Sequence, residues 1–320
     1  DAYGHGSVAI AKALANDANA FAVAFIEEAM HLREQGIIQP ILLLEGVSSA
    51  SDLALAYQQD YWVMLHSKAH LYWLRELDED KRPNVWIKVD SGMHRLGLEL
   101  KHAPAILTEF KDVLTKRTVL CSHLACADEI TNTINDKQIN VMTDLADSFG
   151  LELSLANSAP IMQLPRSHGS WNRLGIALYG CAQSITHPEI TLKPVMKLTA
   201  PIIALRTIEI GEGVGYGQQW LAKRRSIIAT VAIGYADGYP RHAQNGTPAW
   251  LRQQKVSLVG RVSMDMVTFD VTDVPNVEVN DTLELWGEHV LVEEVAEWAS
   301  TICYELLTRI SPRVKRVYVE

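Results

Sequence analysis

Several stretches of this sequence combine residue types that hold anions or move protons. DAYGHG (1–6) sets Tyr3 and His5 among small residues, the usual texture of a strand end turning into a helix. KVDSGMHRLG places Lys88, Asp90 and Arg95 in a glycine-flanked turn directly after an apolar run. Asn157-Ser158 and, further on, Gly175-Ile176 suit a phosphate, offering a hydroxyl, backbone N–H groups and a glycine that permits close approach. An N-cap serine and a packing glycine fit the same spacing. GEGVGYG (211–217) has the glycine density of a nucleotide loop but lies between strand-like runs, so a phosphate-binding turn that opens a helix is not expected there. A loop so flexible can instead present the phenol of Tyr216 to a site. IGYADGYPR (233–241) and GRVSMDM (260–266) are turn-rich, and by texture alone they read as hairpins. His123, taken alone, reads as a core histidine.

The elements that must position these residues fall into two textures. Up to about residue 180, short β-rich runs alternate with helical ones. The strand-like runs are FAVAF (21–25), ILLLEG (41–46), YWVML (61–65), VWIKVD (85–90), TVLCSHL (118–124), LELSLAN (151–157) and LGIALYG (174–180). Helical runs separate them, with Ser51 or Asp52 expected to cap SDLALAYQQ and Gly36 and Gly150 expected to end two others. Continuous apolar strands alternating with helices predict parallel strands covered by helices. The expected fold is an α/β, TIM-type (β/α)8 barrel whose first strand is not in this sequence. An open doubly wound sheet is the runner-up, weakened by the absence of a glycine fingerprint at a strand-to-helix turn. In such a barrel the strand C-terminal ends carry the chemistry; Lys88, His123 and Ser158 fall there, and Arg173 lies just before the last expected strand. From about residue 190 strands dominate (MKLTAPIIALRTIEI, SIIATVAIGY, KVSLVGRVSMDMVTFDV, DTLELWG), and one amphipathic helix, VEEVAEWASTICYELLTRI, is expected near the end. The expected domains are a barrel over residues 1–188 and a mainly-β domain over 189–320.

Composition narrows the partners. The 320 residues are 48% hydrophobic, enough for a sizeable core. A net charge of −9 argues against nonspecific nucleic-acid binding. No apolar run reaches the roughly 18 residues of a membrane helix. Cys121, Cys126, Cys181 and Cys303 show no Cys-x-x-Cys spacing, which predicts a reduced, cytoplasmic protein with buried thiols. No metal site is expected, because no second ligand pair follows Cys121, His123 and Cys126.

Together DAYGHG, KVDSGMHRLG, SHLACADE, LANSA, NRLGIALYG, GVGYG, GYADGYPR, GRVSMDM and YELLTRISPRV resemble the alanine racemases, in family order and across nearly the whole chain. The resemblance implies an eight-stranded βα barrel with a C-terminal β domain, pyridoxal 5'-phosphate as cofactor, and interconversion of L- and D-alanine for cell-wall peptidoglycan. It also implies a head-to-tail homodimer with shared sites. In the family the first motif begins with the lysine that carries the cofactor, which would lie two positions before Asp1. A chain without that lysine is not expected to be a competent racemase by itself.

By the same resemblance Tyr216 is a proton acceptor supplied by the partner subunit, and Arg95 is the cation beside it. Arg173 faces the cofactor's ring nitrogen, with His123 near the ring. Tyr3, Ser158, Gly175, Ile176 and Tyr304 match the phosphate contacts. Tyr235 and Met264, with Asp265 beside them, match residues around the substrate carboxylate. Lys88 matches a position that is often carbamylated; an ordinary Lys88–Asp90 ion pair is the alternative. Two readings stand beside this one: a noncatalytic cofactor-binding protein on the same scaffold, and a racemase of broad amino-acid specificity.

Overall fold

A computed structural model describes residues 1–181 and 189–319. The boundary expected at 188/189 falls against residues 182–188, outside the described residues. The described chain forms two compact units, a βα unit of residues 7–175 and 189 and a β unit made of residues 1–6, 176–181 and 190–319.

In the βα unit helices alternate with strands. The strands are β1 (Phe21–Val23), β2 (Ile41–Leu43), β3 (Tyr61–Leu65), β4 (Val85–Asp90), β5 (Leu98–Glu99), β6 (Val119–Cys121) and β7 (Glu152–Ser154). The helices are α1 (Ser7–Ala13), α2 (Ile26–Glu34), α3 (Ala50–Gln58), α4 (Lys68–Glu76), α5 (Ala103–Glu109), α6 (Thr133–Phe149) and α7 (Ser158–Gln163). The sheet runs β1-β2-β3-β4-β6-β7, parallel throughout, with β5 paired to β4. Parallel pairing in chain order with helices between is the barrel-type arrangement expected from the sequence.

Period-2 alternation gives the sheet two buried faces. Ile41, Leu43, Val63, Leu65, Ile87, Val89 and Leu120 pack with Leu53, Leu71, Leu74, Leu107 and Met142 of the helices. Leu42, Met64, Trp86, Val119 and Cys121 form a separate layer on the other face. Trp62, Trp86 and Trp171 cluster there with ring centroids 5.1–6.4 Å apart. Each fully buried large aliphatic side chain contributes about 1.5–3 kcal/mol. By the same alternation Lys88 and Asp90 lie on the Trp86 side of β4, at its C-terminal end. The helix boundaries follow capping chemistry. Ser49, rather than Ser51 or Asp52, caps α3 by accepting from the Asp52 amide at 3.1 Å. Gly36 and Gly150 end α2 and α6 at φ 84° and 62°.

The expected strand at 174–180 is not one. Trp171 and Arg173 donate their amides to Leu153 and Ala156 of the β7 segment. The Gly175 amide then goes to the Ser158 hydroxyl instead of a ladder carbonyl, and Ile176–Tyr179 coils into a 3-10 turn. Ile176, Ala177 and Tyr179 of this run are buried, Ile176 in the core of the β unit, while Leu174 and Leu178 are exposed.

The β unit contains β8 (Leu198–Ile208), β9 (Gly213–Val214), β10 (Trp220–Leu221), β11 (Ser226–Val231), β12 (Pro248–Leu251), β13 (Gln254–Leu258), β14 (Val267–Asp270) and β15 (Thr282–Trp286). Six of these close an antiparallel barrel in the order β11-β14-β13-β12-β15-β8, while β9 and β10 form a hairpin. The single helix expected afterwards is two, α8 (Val292–Trp298) and α9 (Cys303–Thr308). Ser300 takes φ 52°, its amide returns to Glu297 O and that of Thr301 to Ala296 O. This left-handed cap satisfies the last carbonyls and stops the helix mid-pattern. No helix among the described residues is long and apolar enough to cross a membrane.

Candidate active site

The C-terminal ends of β4, β6 and β7 bring Lys88, His123 and Arg173 together. Arg173 is half-buried, and its guanidinium is held by strand-end acceptors. Nη1 stands 2.6 Å from Ser154 Oγ, 3.0 Å from Ser154 O and 3.2 Å from Cys121 Sγ. Nη2 donates to Ser122 O at 2.8 Å and Leu155 O at 3.1 Å. Among the described residues Arg173 makes no hydrogen bond to His123; the two are linked through their charges. Burial and the nearby charges of Arg173, Lys88 and Arg95 push His123 down to about 3, so its ring is neutral at physiological pH. Lys88 is also pushed below the ordinary lysine range, by burial and by Arg173 and Arg95, against an opposing contribution from Cys121. Arg95 is exposed, yet close enough for its charge to reach both groups.

The turn after β4 is built around Asp90. Burial acts to raise its pKa, but hydrogen bonding by the His94, Gly92 and Met93 amides, with the charge of His94, outweighs this and holds it low. Those amides all reach Oδ1 at 3.0 Å. No Lys88–Asp90 ion pair occurs among the described residues. Gly97, at φ 130°, lets the chain return against β4: a Cβ there would lie 2.7 Å from the Asp90 amide nitrogen. Behind this turn Ser122 Oγ donates to Val89 O at 2.7 Å and meets Ser91 Oγ at 2.7 Å. Buried Gln138 of α6 donates to Ser91 Oγ and His123 O and accepts from the Ala125 amide. Ser122, Gln138 and Ser154 are not identified from sequence. A polar residue on the core face of α6 was the available signal for Gln138. Ser158 is 2% exposed, and its hydroxyl accepts from the Gly175 amide at 3.0 Å.

A second group belongs to the β unit. Ala2, Tyr3, Gly4 and Gly6 all adopt positive φ, which folds the first residues into a tight turn. Tyr3 lies 5.2 Å from Tyr179 and 5.9 Å from Tyr304, ring to ring. Burial, and then Cys303, raise its phenol above the ordinary range. His5 stacks on Tyr179 at 4.3 Å. Arg316 donates to Gly4 O at 2.7 Å and to Asp1 at 3.0 Å, and Tyr318 OH donates to His5 O. Ile176 is buried in the same unit. Tyr179, Arg316 and Tyr318 are further neighbours that sequence reading does not single out.

Three candidates face outward from the β unit. Tyr216 follows β9 at the hairpin tip, between Gly215 at φ 72° and Gly217 at φ 70°, and is 69% exposed. Tyr235 and Met264 are 40% and 55% exposed. Asp265 pairs with Arg313 at 2.6 Å. None of the four cysteines forms a disulfide, and no group of three or more metal-ligating residues occurs, among the described residues.

Residues 1–183 match the family model of the alanine racemase N-terminal domain, and residues 195–318 match that of the C-terminal domain. An alanine racemase of Alteromonas mediterranea is 46% identical over 318 residues, covering 99% of this chain and 89% of that protein. The crystal structure of the biosynthetic alanine racemase from Pseudomonas aeruginosa superposes with a TM-score of 0.92 at 40% identity, covering 100% of this chain and 90% of that one. The alanine racemase from Bartonella henselae with covalently bound pyridoxal phosphate gives a TM-score of 0.90 at 32% identity, covering 99% and 90%.

Proposed function

The chain belongs to the alanine racemase family, and from that premise we propose that it interconverts L- and D-alanine with two bases on opposite faces of the substrate. The observation that carries the reading is the fixed Arg173 guanidinium at the strand ends, with a neutral His123 and a depressed Lys88 beside it.

The donor set suits pyridoxal 5'-phosphate. A buried serine hydroxyl engaged by a glycine amide, the phenols of Tyr3 and Tyr304 and a permanent cation match a phosphate and a ring nitrogen. We assign the phosphate to Tyr3, Ser158, Gly175, Ile176 and Tyr304, and the ring nitrogen to Arg173. When bound, the cofactor supplies delocalisation of the charge left on the substrate's α-carbon. Because Arg173 keeps its own proton, it donates to the ring nitrogen without protonating it. That restrains the electron sink and favours prompt return of the α-proton.

Tyr216 of the partner subunit takes or returns the α-proton on one face, and the family lysine does so on the other. A phenol has an ordinary pKa of about 10, so it needs a cation to act as a base near neutrality. Arg95 fills that role. Carbamylated Lys88 would carry a negative charge that holds Arg95 in place; a depressed amine pKa supports this, since the neutral amine is the form that adds carbon dioxide. Tyr235, Met264 and Asp265 of the partner surround the substrate carboxylate. The exposed position of Tyr216, Tyr235 and Met264 supports a homodimer with shared sites. Supply of D-alanine to peptidoglycan and a cytoplasmic location complete the reading.

The direct test, made on protein that carries the family lysine, is exchange of the α-proton of L-alanine in deuterium oxide with added cofactor, alongside appearance of D-alanine. Both are expected, and both vanish in Tyr216→Phe. Cofactor binding without α-exchange would overturn the racemase reading.

A further inference from the structure

Two loops of the β unit, 233–238 and 263–266, are joined along their backbones. The Tyr235 amide donates to Ser263 O at 3.0 Å and the Ala236 amide to Met264 O at 2.9 Å. They press so closely that a Cβ on Gly234 would lie 2.3 Å from Met264 O. Asp237 closes the first loop by accepting from the Gly234 amide at 2.8 Å. Its other oxygen accepts from Arg313 Nε at 2.7 Å, and Arg313 Nη2 donates to Asp265 Oδ1 at 2.6 Å. The Ser311 amide returns to Asp237 O at 3.0 Å. One guanidinium thus bridges the carboxylates of both loops.

We propose that Arg313 is a positioning residue for substrate binding: it locks together the loops that present Tyr235 and Met264, and it offsets part of the acidic charge beside them. The inference rests on the reading that these loops face an amino-acid substrate. Two carboxylates next to a site for a third would repel it, and the cation offsets one of their two charges and so weakens that repulsion. The planar fork of arginine serves both acceptors at once, which a lysine ammonium on a flexible stem does not. Arg313 acts through its neighbours and does not itself touch the reacting atoms.

The test compares wild-type holoenzyme with Arg313→Met, Arg313→Lys and the double variant Arg313→Met/Asp265→Asn. It reads KM for alanine, kcat, and hydrogen exchange at the Tyr235 and Ala236 amides. Arg313→Met is expected to raise KM roughly tenfold with kcat within about twofold, the signature of lost substrate binding. Exchange at the two loop amides speeds at least about tenfold, while amides of β12 and β13 keep their rates. Asp265→Asn in that background recovers part of KM, and Arg313→Lys, which keeps the charge, lies between. Faster exchange with unchanged KM would reduce Arg313 to a structural clamp and overturn the proposal. Unchanged exchange would overturn the locking itself. An inactive wild-type holoenzyme would sink the racemase reading and this inference with it, a failure distinct from an active wild type with indifferent variants.

Discussion

Arg173 reaches Ser154 with a single guanidinium nitrogen, which sits 2.6 Å from the hydroxyl and 3.0 Å from the carbonyl oxygen of the same residue. Ser154 is fully buried at the end of β7, so the arginine is fixed by the sheet and not by another mobile side chain. Arg173→Glu should therefore change the chemistry at the cofactor ring more than the affinity for it. Racemisation should fall by about 100-fold or more, while transamination side product per turnover rises. Product ratios by chromatography check this; an unchanged ratio would count against a role for Arg173 at the ring nitrogen. Ser154→Ala should cost about 1–3 kcal/mol of stability, because the charged donor loses an acceptor away from water.

Buried His70 and half-buried His123 give the pH dependence of stability a definite sign. His123 titrates near 3 and His70 near 4, both pushed down chiefly by burial, against an ordinary value of 6.5. The folded pKa is below the unfolded one, so the unfolded chain binds more protons as pH falls. Stability is fully present above about pH 6.5 and is lost as pH falls toward 4 and then 3. Each histidine contributes a slope of at most about 1.4 kcal/mol per pH unit in that window. Urea midpoints from pH 7 to 4 should show a shallower acid limb in His70→Gln; equal slopes would argue that His70 is solvated.

Lys88 should carry carbon dioxide. In the reaction the amine nitrogen bonds to the carbon of carbon dioxide and releases one proton, leaving a carbamate. With labelled bicarbonate, a carbon-13 carbamate resonance is expected in the wild type and absent in Lys88→Arg. Alanine turnover should drop in Lys88→Ala and be partly restored by an added small carboxylate. A wild type without the resonance would leave Lys88 a plain amine.

Shared sites predict complementation between inactive subunits. A dimer pairing a Tyr216→Phe subunit with an Arg173→Glu subunit has one site with neither defect. Random mixing should restore about a quarter of wild-type activity, as half the dimers are hybrids with one of two sites intact. Activity that stays at background would place Tyr216 in its own chain's site.

The opening turn makes a packing prediction. A Cβ on Gly4, which holds φ 80°, would lie 2.2 Å from Leu307 O. Gly4→Ala should lower stability by about 2–4 kcal/mol, since strained backbone and a clash with main chain add. Calorimetry checks this, and a midpoint unchanged within a degree or two would contradict the packing.

Local pattern was enough for much of the architecture. The runs YWVML and VWIKVD are β3 and β4 to the residue, because apolar β-branched and aromatic runs bounded by polar residues have one stable arrangement when both faces are covered. The motif after VWIKVD also placed Lys88 and Arg95 at a strand end, where barrel chemistry gathers. Where pattern misled, a longer-range contact decided. LGIALYG has strand composition, but the Ser158 hydroxyl captures the Gly175 amide and the run turns instead. VEEVAEWASTICYELLTRI keeps helical periodicity through a left-handed cap at Ser300, since periodicity records which side is buried and not where the backbone stops.

By itself the sequence determined the residue types at each strand end, the alternation that buries two faces of a parallel sheet, and the family to which the motifs belong. Only the tertiary structure decided their partners and protonation. Arg173 gains its acceptors from the ends of β6 and β7, residues 18–52 positions away in the chain, and His123 owes its neutral ring to burial and to cations carried by β4, the turn after it and the segment that holds Arg173. Hydrogen bonding and electrostatic fields act through distance in space, and a linear order of residues does not contain that distance until the chain has folded.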